Sequence, residues 1–482
     1  MGWWREVHHL VPQEALRHRL PEEGGVEEVQ EALLRAWVAL QRLPGEAGGG
    51  GGEPEGAHEG DGGAAGGRCE AGEQGARRPR VPQDLRAVGA AGWVKELKIL
   101  WVSDAFWLNT GYATVTRHLV PHLAREHEVV LLPFAGTAQG GFSRELMGVD
   151  VLPGLASVGD VEHWFFERRC DVAIVLKDPY AVPGIQGLPV FHIMYSPIAE
   201  EPVPREWLDI TRNAVRVWIP SRWGIDQYLK AGGDRSKVRY LPHGVDTHVF
   251  RPLDAPREEL RAKLNPGLRD ADVVVGIVAV NRARKLIPNQ LEAVKLFMER
   301  NPDLNVGIYL HTSVTPDGPH GGWYLDAVVE TMGLRGRVVF PEQHYYRLGF
   351  TEAEMNLVYN ACDVVLNLST EGFGLVQLEA QSAGCPVVSL AHGAGPEINF
   401  LELNCRVAAK HYTVRGSWWG VPDPHHAAEL IERALSFDRE KIARYLHGKA
   451  KAFDWELIAQ QAHKLLEEAS EEFMPQKVGG GA

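Results

Sequence analysis

From Lys98 onward, short runs of consecutive apolar residues alternate with longer stretches in which apolar positions recur at helical spacing. The runs Ile99–Val102, Val129–Leu132, Val172–Leu176, Val190–Tyr195 and Val215–Ile219 have the pattern of strands buried on both faces. A second series follows at Val273–Val280, Val306–His311, Arg337–Phe340, Cys362–Leu368 and Pro386–Leu390. Helices are predicted between them, among them Val115–Glu126, Pro288–Glu299 and one opened by the capping-box pair Thr351 and Glu354. Strand and helix in alternation imply parallel strands in βαβ units, so each series predicts a doubly wound α/β domain. Between the series, Leu241–Pro252 is rich in turn residues and prolines and predicts a crossing from one domain to the next. Two such halves leave a cleft between them, the usual place for a ligand. A last amphipathic helix is expected over Trp455–Glu472.

Residues 1–93 do not share this pattern. Val26–Leu43 fits one amphipathic helix, and Gly45–Gly75 is nearly half glycine. The glycine-rich segment cannot bury enough apolar surface to offset its ordering entropy. The expectation is a disordered low-complexity extension or a non-native start, with the first domain opening at Val94–Leu100. The expected division is then 1–93 for the extension, 94–250 for the first domain and 251–440 for the second. Residues 441–482 are expected to form a C-terminal helix packing back towards the first domain, and a tail.

Composition narrows the classes. A chain of 482 residues with 45% hydrophobic and 23% charged content can bury the cores of two or three soluble domains. A net charge of -13 argues against wholesale nucleic-acid binding. The five cysteines, Cys69, Cys170, Cys362, Cys385 and Cys405, are odd in number and lack metal or CxxC spacing, which suits a reducing compartment. No apolar run approaches the roughly 20 residues of a membrane span and no secretory signal opens the chain. A cytoplasmic protein is expected, with contact at the inner face of a membrane left open.

Candidate chemistry concentrates in Ser369–Ala380, which follows the apolar run ending at Leu368. A glycine-containing loop that opens a helix points backbone N–H groups and the helix dipole at an anion. Glu371 in the loop and Glu379 in the helix, eight residues apart, are separated by roughly 12 Å along the axis. That distance matches the span from a hexose across a diphosphate to a ribose, so the stretch could hold a sugar nucleotide lengthwise. A plain helix start with solvated glutamates is the bland alternative. Asn281-Arg282-Ala283-Arg284-Lys285 follows the first strand of the second series, at the same sheet edge. Its guanidinium and ammonium groups suit a diphosphate, and a solvated basic turn is the alternative. In the first domain, the loop Ser103–Thr114 carries Gly111 but no GxGxxG, so a dinucleotide fingerprint is absent. Asp270-Ala271-Asp272 precedes a strand and reads as a turn, so no metal is expected.

Glu371-Gly372-Phe373-Gly374-Leu375 through Glu379-Ala380, Pro242–Asp246 with Phe250-Arg251-Pro252, Ala383–Val388 and Gly395–Ile398 occur in an order that carries a resemblance. The chain from Lys98 to Glu472 resembles the GT-B glycosyltransferases, specifically the retaining enzymes of glycosyltransferase family 4 (group 1). The resemblance implies two Rossmann-like domains facing across a cleft, and hexose transfer from a nucleotide diphosphate sugar to a glycan, lipid-linked or small-molecule hydroxyl. It implies that Glu379 accepts from the donor ribose and that Glu371 contacts the donor sugar. The Gly372, Phe373, Gly374 and Leu375 backbone would lie near sugar hydroxyls and phosphate. Arg282 and Lys285 would neutralise the leaving diphosphate; because Asn281-Arg282 replaces the family's Gly-Arg and the spacing to Lys285 is shorter, Arg284 would share the role. Gly111 matches the glycine of the acceptor-domain loop. On the acceptor side, Tyr195–Pro202 offers Ser196, Glu200 and Glu201, with Ala199 where relatives often show Asp; His192 is the remaining candidate, within a strand. A leaving phosphate oxygen that deprotonates the acceptor would need no protein base, and neither metal nor other cofactor is implied. Donor base, acceptor and oligomeric state stay open. Rival readings are a GT-B phosphorylase or epimerase, a non-catalytic sugar-nucleotide binding protein, and a dehydrogenase, the last disfavoured by the missing GxGxxG.

Overall fold

A computed structural model describes residues 96–136, 148–155, 157–316 and 321–473. The expected extension over 1–93, with its Val26–Leu43 helix, its glycine-rich stretch and Cys69, lies outside the described residues.

The first apolar series forms β1 (Lys98–Ser103), β2 (Glu128–Pro133), β4 (Val172–Leu176), β5 (His192–Tyr195) and β6 (Arg216–Ile219), and two short strands join them, β3 (Asp150–Val151) and β7 (Val238–Tyr240). All pair in parallel in the order β3-β2-β1-β4-β5-β6-β7. The second series forms β8 (Val273–Val278), β9 (Val306–His311), β10 (Val338–Val339), β11 (Val364–Asn367), β12 (Val387–Leu390) and β13 (Asn404–Cys405), ordered β10-β9-β8-β11-β12-β13. The two sheets thus repeat one winding. Strand order reverses between β1 and β4 in the first sheet and between β8 and β11 in the second. In such sheets the crevice outside the carboxyl ends of the strands at the reversal is where ligands bind. The reversal in the second sheet falls between the loop holding Arg282–Lys285 and the loop holding Glu371.

Five helices position the site: α1 (Gly111–Leu123), α2 (Ile287–Arg300), α3 (Glu352–Ala361), α4 (Leu375–Ser382) and α5 (Trp455–Phe473). Thr110 caps α1 by accepting from the Ala113 amide at 3.1 Å. Both halves of the Thr351–Glu354 capping box are made at the start of α3. On α5, Trp455, Ile458, Ala459, Ala462, Leu466 and Ala469 share one buried cluster with Leu97, Ile99, Val115 and Leu119, so the last helix completes the core of the first sheet. Spacings of three and four residues put these side chains on one stripe. The chain therefore crosses between domains twice, and the crossings lie side by side: the Val245 amide donates to the Phe453 carbonyl at 2.9 Å and Thr247 Oγ1 to Asp454 at 2.6 Å.

An antiparallel hairpin not foreseen in the sequence follows β13: β14 (Val407–Tyr412) and β15 (Trp418–Pro422). Most of β14 is exposed, so it lacks the apolar run that marks the other strands. Cys170, Cys362, Cys385 and Cys405 are free and buried. No described helix is long and apolar enough to cross a membrane.

Candidate active site at the paired sheet reversals

The loop after β8 is shaped by Asn281. This buried amide donates to the Ser313 carbonyl at 3.0 Å and the Trp323 carbonyl at 2.7 Å, and accepts from the Trp323 amide at 3.0 Å. Asn281, which stands where the resemblance would place a glycine, is therefore an anchor holding the basic loop in place. Beyond it, Arg284 and Lys285 turn towards β11, and Leu286 takes a left-handed φ of 49° before α2 begins. A non-glycine residue in that region is uncommon and is held there by its surroundings.

On the facing loop, Glu371 forms an ion pair with Lys285, lies 3.9 Å from an Arg284 guanidinium nitrogen, and accepts from Ser369 Oγ at 2.7 Å. Burial alone would raise its carboxyl, but the Lys285 ammonium and Arg284 guanidinium outweigh that and hold it below the ordinary carboxylate value. Lys285 is pulled down to about 8, chiefly by burial and then by Arg284, with Glu371 opposing. Arg282 is partly buried, and its Nε has no hydrogen-bond partner among the described residues. Gly374 caps α4 with φ of 105°, where a side chain would be strained. α4 opens directly after this loop, and its opening N–H groups have no intrahelical acceptor. Glu379 lies on the next turns of the same helix and accepts from the Tyr359 hydroxyl at 2.7 Å. Burial, only partly offset by that hydrogen bond, pushes its carboxyl up to about 7. Phe373 is buried, its ring 5.0 Å from that of His243 in the interdomain segment. His243 is neutral, its pKa lowered to about 3 by burial, and its Nδ1 lies 2.9 Å from the Tyr195 hydroxyl.

The first domain closes against this face. A Cβ on Gly111 would lie 3.5 Å from Leu375, and one on Gly372 would fall 2.7 Å from Pro197 Cβ and 3.1 Å from the Ile198 nitrogen. His118 Nε2 meets Glu352 Oε1 at 2.6 Å, and the Glu397 carboxylate accepts from the Arg222 amide at 2.9 Å, capping a first-domain helix from the second domain.

The acceptor-side candidates separate. His192 is at the start of β5, fully buried, with Nδ1 3.3 Å from the Val190 carbonyl and its pKa lowered to about 4 by burial. It lies at the amino end of its strand, so the structure does not bring it to the crevice. Ser196 Oγ is at the carboxyl edge but donates to the Lys177 carbonyl at 2.6 Å. Glu200 is buried in an ion pair with Arg415 of the β14–β15 turn, and Glu201 lies 3.1 Å from His392 Nε2. Both glutamates join the domains, a role that a carboxylate free to act as base would not have.

Sequence reasoning missed the groups at the reversal of the first sheet. Asp104, after β1, is ion-paired with Lys177, after β4, and accepts from Thr110 Oγ1 at 2.6 Å. Next to Lys177, Asp178 accepts from the Tyr180 hydroxyl at 3.2 Å and bonds the Tyr112 hydroxyl. Burial raises Asp178, against the pull of Tyr112 and of Arg284 facing it from the other domain. The signal available was position: Asp104, Lys177 and Asp178 directly follow the two strands that flank the reversal.

Among the described residues, His118, Asp246 and Glu352 offer ligand atoms within 4.8 Å of one another. Arg117 Nε lies 3.7 Å from the same Glu352, so a cation already serves that carboxylate. The group includes interdomain ion pairs that join α1 to α3.

Residues 287–410 match the family model described as glycosyl transferases group 1. Over 167 residues the chain is 36% identical to a D-inositol 3-phosphate glycosyltransferase of Stackebrandtia nassauensis, covering 33% of this chain and 34% of that protein. It is 28% identical over 214 residues to a GDP-mannose-dependent alpha-(1-6)-phosphatidylinositol monomannoside mannosyltransferase of Mycolicibacterium smegmatis, covering 39% and 50%. The chain spans about half the length of the curated relatives it matches. Its fold is similar to that of Anabaena HepE in complex with UDP-glucose, with a TM-score of 0.59 and 20% identity over 77% of this chain and 100% of that one.

Proposed function

For a chain of GT-B fold carrying a group 1 glycosyltransferase segment over residues 287–410, we propose a retaining transfer of a hexose from a nucleotide diphosphate sugar to an acceptor hydroxyl. One observation carries the reading. Lys285, Arg284 and Glu371 converge at the reversal of the second sheet, beside the first turn of α4, whose later turn presents Glu379. Cations and helix amides at one point, flanked by carboxylates on either side, match a ligand with a diphosphate between two polyols.

The proposed chemistry follows from charge. Cleaving the glycosidic C–O bond leaves an oxocarbenium-like sugar and a departing diphosphate, and fixed cations and amides stabilise that charge best in a water-poor crevice. Lys285, Arg284, Arg282 and the α4 amides supply them. Glu371 orients the sugar and Glu379 the ribose. The closed first domain excludes water that would compete with the acceptor. Asp178 and Tyr112 are the first-domain groups facing Arg284, and they offer the acceptor hydroxyl its hydrogen bonds. The leaving phosphate oxygen takes the acceptor proton, so the reaction needs no protein base, and Lys285, Arg284 and Arg282 carry the countercharge that a metal would otherwise supply. The acceptor is a glycan, lipid-linked or small-molecule hydroxyl, and the working site is cytoplasmic.

Thermal shift against UDP-, GDP- and ADP-sugars tests this directly, because a ligand that binds only the native state raises its Tm. One donor series is expected to raise Tm in the wild type and not in Glu379→Ala. No shift with any series would overturn the reading.

A further inference from the structure

Glu201 sits in the first domain, yet its side chain reaches the loop that carries Glu371 through two hydrogen bonds. His392, which follows β12, places Nε2 3.1 Å from Glu201 Oε2 and Nδ1 2.9 Å from Thr370 Oγ1. Thr370 Oγ1 also accepts from the Gly420 amide at 3.0 Å. A carboxylate oxygen accepts, so Nε2–H donates to Glu201, and in a neutral imidazole Nδ1 then accepts from the Thr370 hydroxyl. The pattern fixes one tautomer of a neutral imidazole, and burial, which lowers the pKa of His392, favours that form.

The imidazole has little freedom. Its ring stacks on Trp418 at 4.1 Å and meets Trp223 edge-on at 5.2 Å. Trp418 in turn pairs with the Glu201 backbone, its amide donating to the Glu201 carbonyl at 2.8 Å. Arg415, at the same hairpin turn, is ion-paired with Glu200 and covers the Tyr180 ring at 4.6 Å, and Ser417 Oγ donates to the Pro202 carbonyl at 2.6 Å. On the other side, the segment beside His392 clamps the donor loop: the Ala394 amide donates to the Glu371 carbonyl at 2.8 Å. The hairpin therefore binds the first-domain loop to the very segment that holds Thr370 and Glu371.

We propose that Glu201, His392 and Thr370 form a positioning relay that sets the Glu371 loop when the two domains are closed. Glu201 acts as the sensor of closure, and His392 passes its position to Thr370, one residue from the carboxylate paired with Lys285. The relay rests on the reading of Glu371 as a donor-site residue, and it gives Glu201 a task on the donor side of the cleft.

Hydrogen exchange over residues 369–376 tests it without any donor. Glu201→Ala and His392→Ala are expected to speed exchange there by about fivefold, the scale of one lost hydrogen bond, while residues 98–103 keep their wild-type rates. His392→Gln, which keeps one donor and one acceptor, is expected to restore slow exchange. Wild-type exchange in Glu201→Ala, or exchange in His392→Gln as fast as in His392→Ala, would overturn the relay. With a sugar nucleotide the wild type turns over, kcat in His392→Ala is expected to fall about tenfold with KM for the donor nearly unchanged, as for a lost transition-state interaction. A rise in KM alone would also overturn it. A wild type that turns over no sugar nucleotide would defeat the functional reading separately, and the exchange result would still decide the relay.

Discussion

Replacing Tyr359 by Phe removes one hydroxyl and nothing else from the end of the crevice proposed to hold the ribose. That hydroxyl donates to Glu379 at 2.7 Å, and the carboxyl it serves is pushed up to about 7 by burial. A hydrogen bond to a charged group contributes about 1.5 kcal/mol, and one pKa unit corresponds to about 1.4 kcal/mol. Tyr359→Phe should therefore raise the Glu379 pKa by about one unit. In the proposed binding mode the ionised form accepts from two ribose hydroxyls, so donor binding should be lost as pH falls through the raised value. At pH 7 the ionised fraction drops from about one half to about one tenth, weakening donor affinity about fivefold. At a pH well above both values the variant and wild type should converge. The sign for stability is the reverse: folding raises this pKa, so the group's contribution is present below the unfolded value of about 4.3 and is lost as pH rises towards 7. Calorimetric titration from pH 6 to 9.5 with an intact sugar nucleotide is the assay, because a pyrophosphate esterified at both ends has no ionisation of its own near neutrality. Glu379→Gln should lose the low-pH limb of the profile and keep only the decline that Lys285 gives above about 8. A loss in Tyr359→Phe that is equal at pH 7 and pH 9.5, or absent at pH 7, would refute the reasoning.

Other perturbations have distinct expected outcomes. Lys285→Ala leaves Glu371 buried without its main partner, so donor turnover should fall at least a hundredfold and stability by about 3 kcal/mol, read as kcat and as denaturant midpoint. Gly372→Ala would place a methyl 2.7 Å from Pro197 across the cleft, so small-angle scattering should show a larger radius of gyration and turnover should drop about a hundredfold. Lys177→Met breaks the buried pair with Asp104 and should cost about 3 kcal/mol, seen as a Tm lower by several degrees.

Much of the fold was legible because parallel strands buried on both faces appear as unbroken apolar runs, as in Val273–Val278 and Val306–His311. The hairpin was not, because β14 runs through exposed Lys410, His411 and Tyr412 and takes its support from Trp418 and the first domain. Strands β3 and β13 have two residues each and too little pattern to read, whereas β10 falls inside the expected run Arg337–Phe340. At the site, Glu371, Arg284 and Lys285 were visible as motifs, and the structure brings them together. Glu200 and Glu201 looked like acceptor-side candidates because linear sequence does not show that Arg415 and His392, some two hundred residues later, come to meet them. Asp178 and Tyr112 belong to no motif; only the strand order puts them opposite Arg284.

The central claim is sugar transfer with retention from a nucleotide donor held by Lys285, Glu371 and Glu379. Proton NMR of the intact chain with UDP- and GDP-hexoses, followed from the first minutes, tests it most directly, since even slow transfer to water reports the new anomeric centre. The account predicts release of nucleoside diphosphate from one donor series, a first-formed sugar of the donor's own anomeric configuration, and no release from Lys285→Ala. An inverted sugar, or equal release from Lys285→Ala, would contradict it.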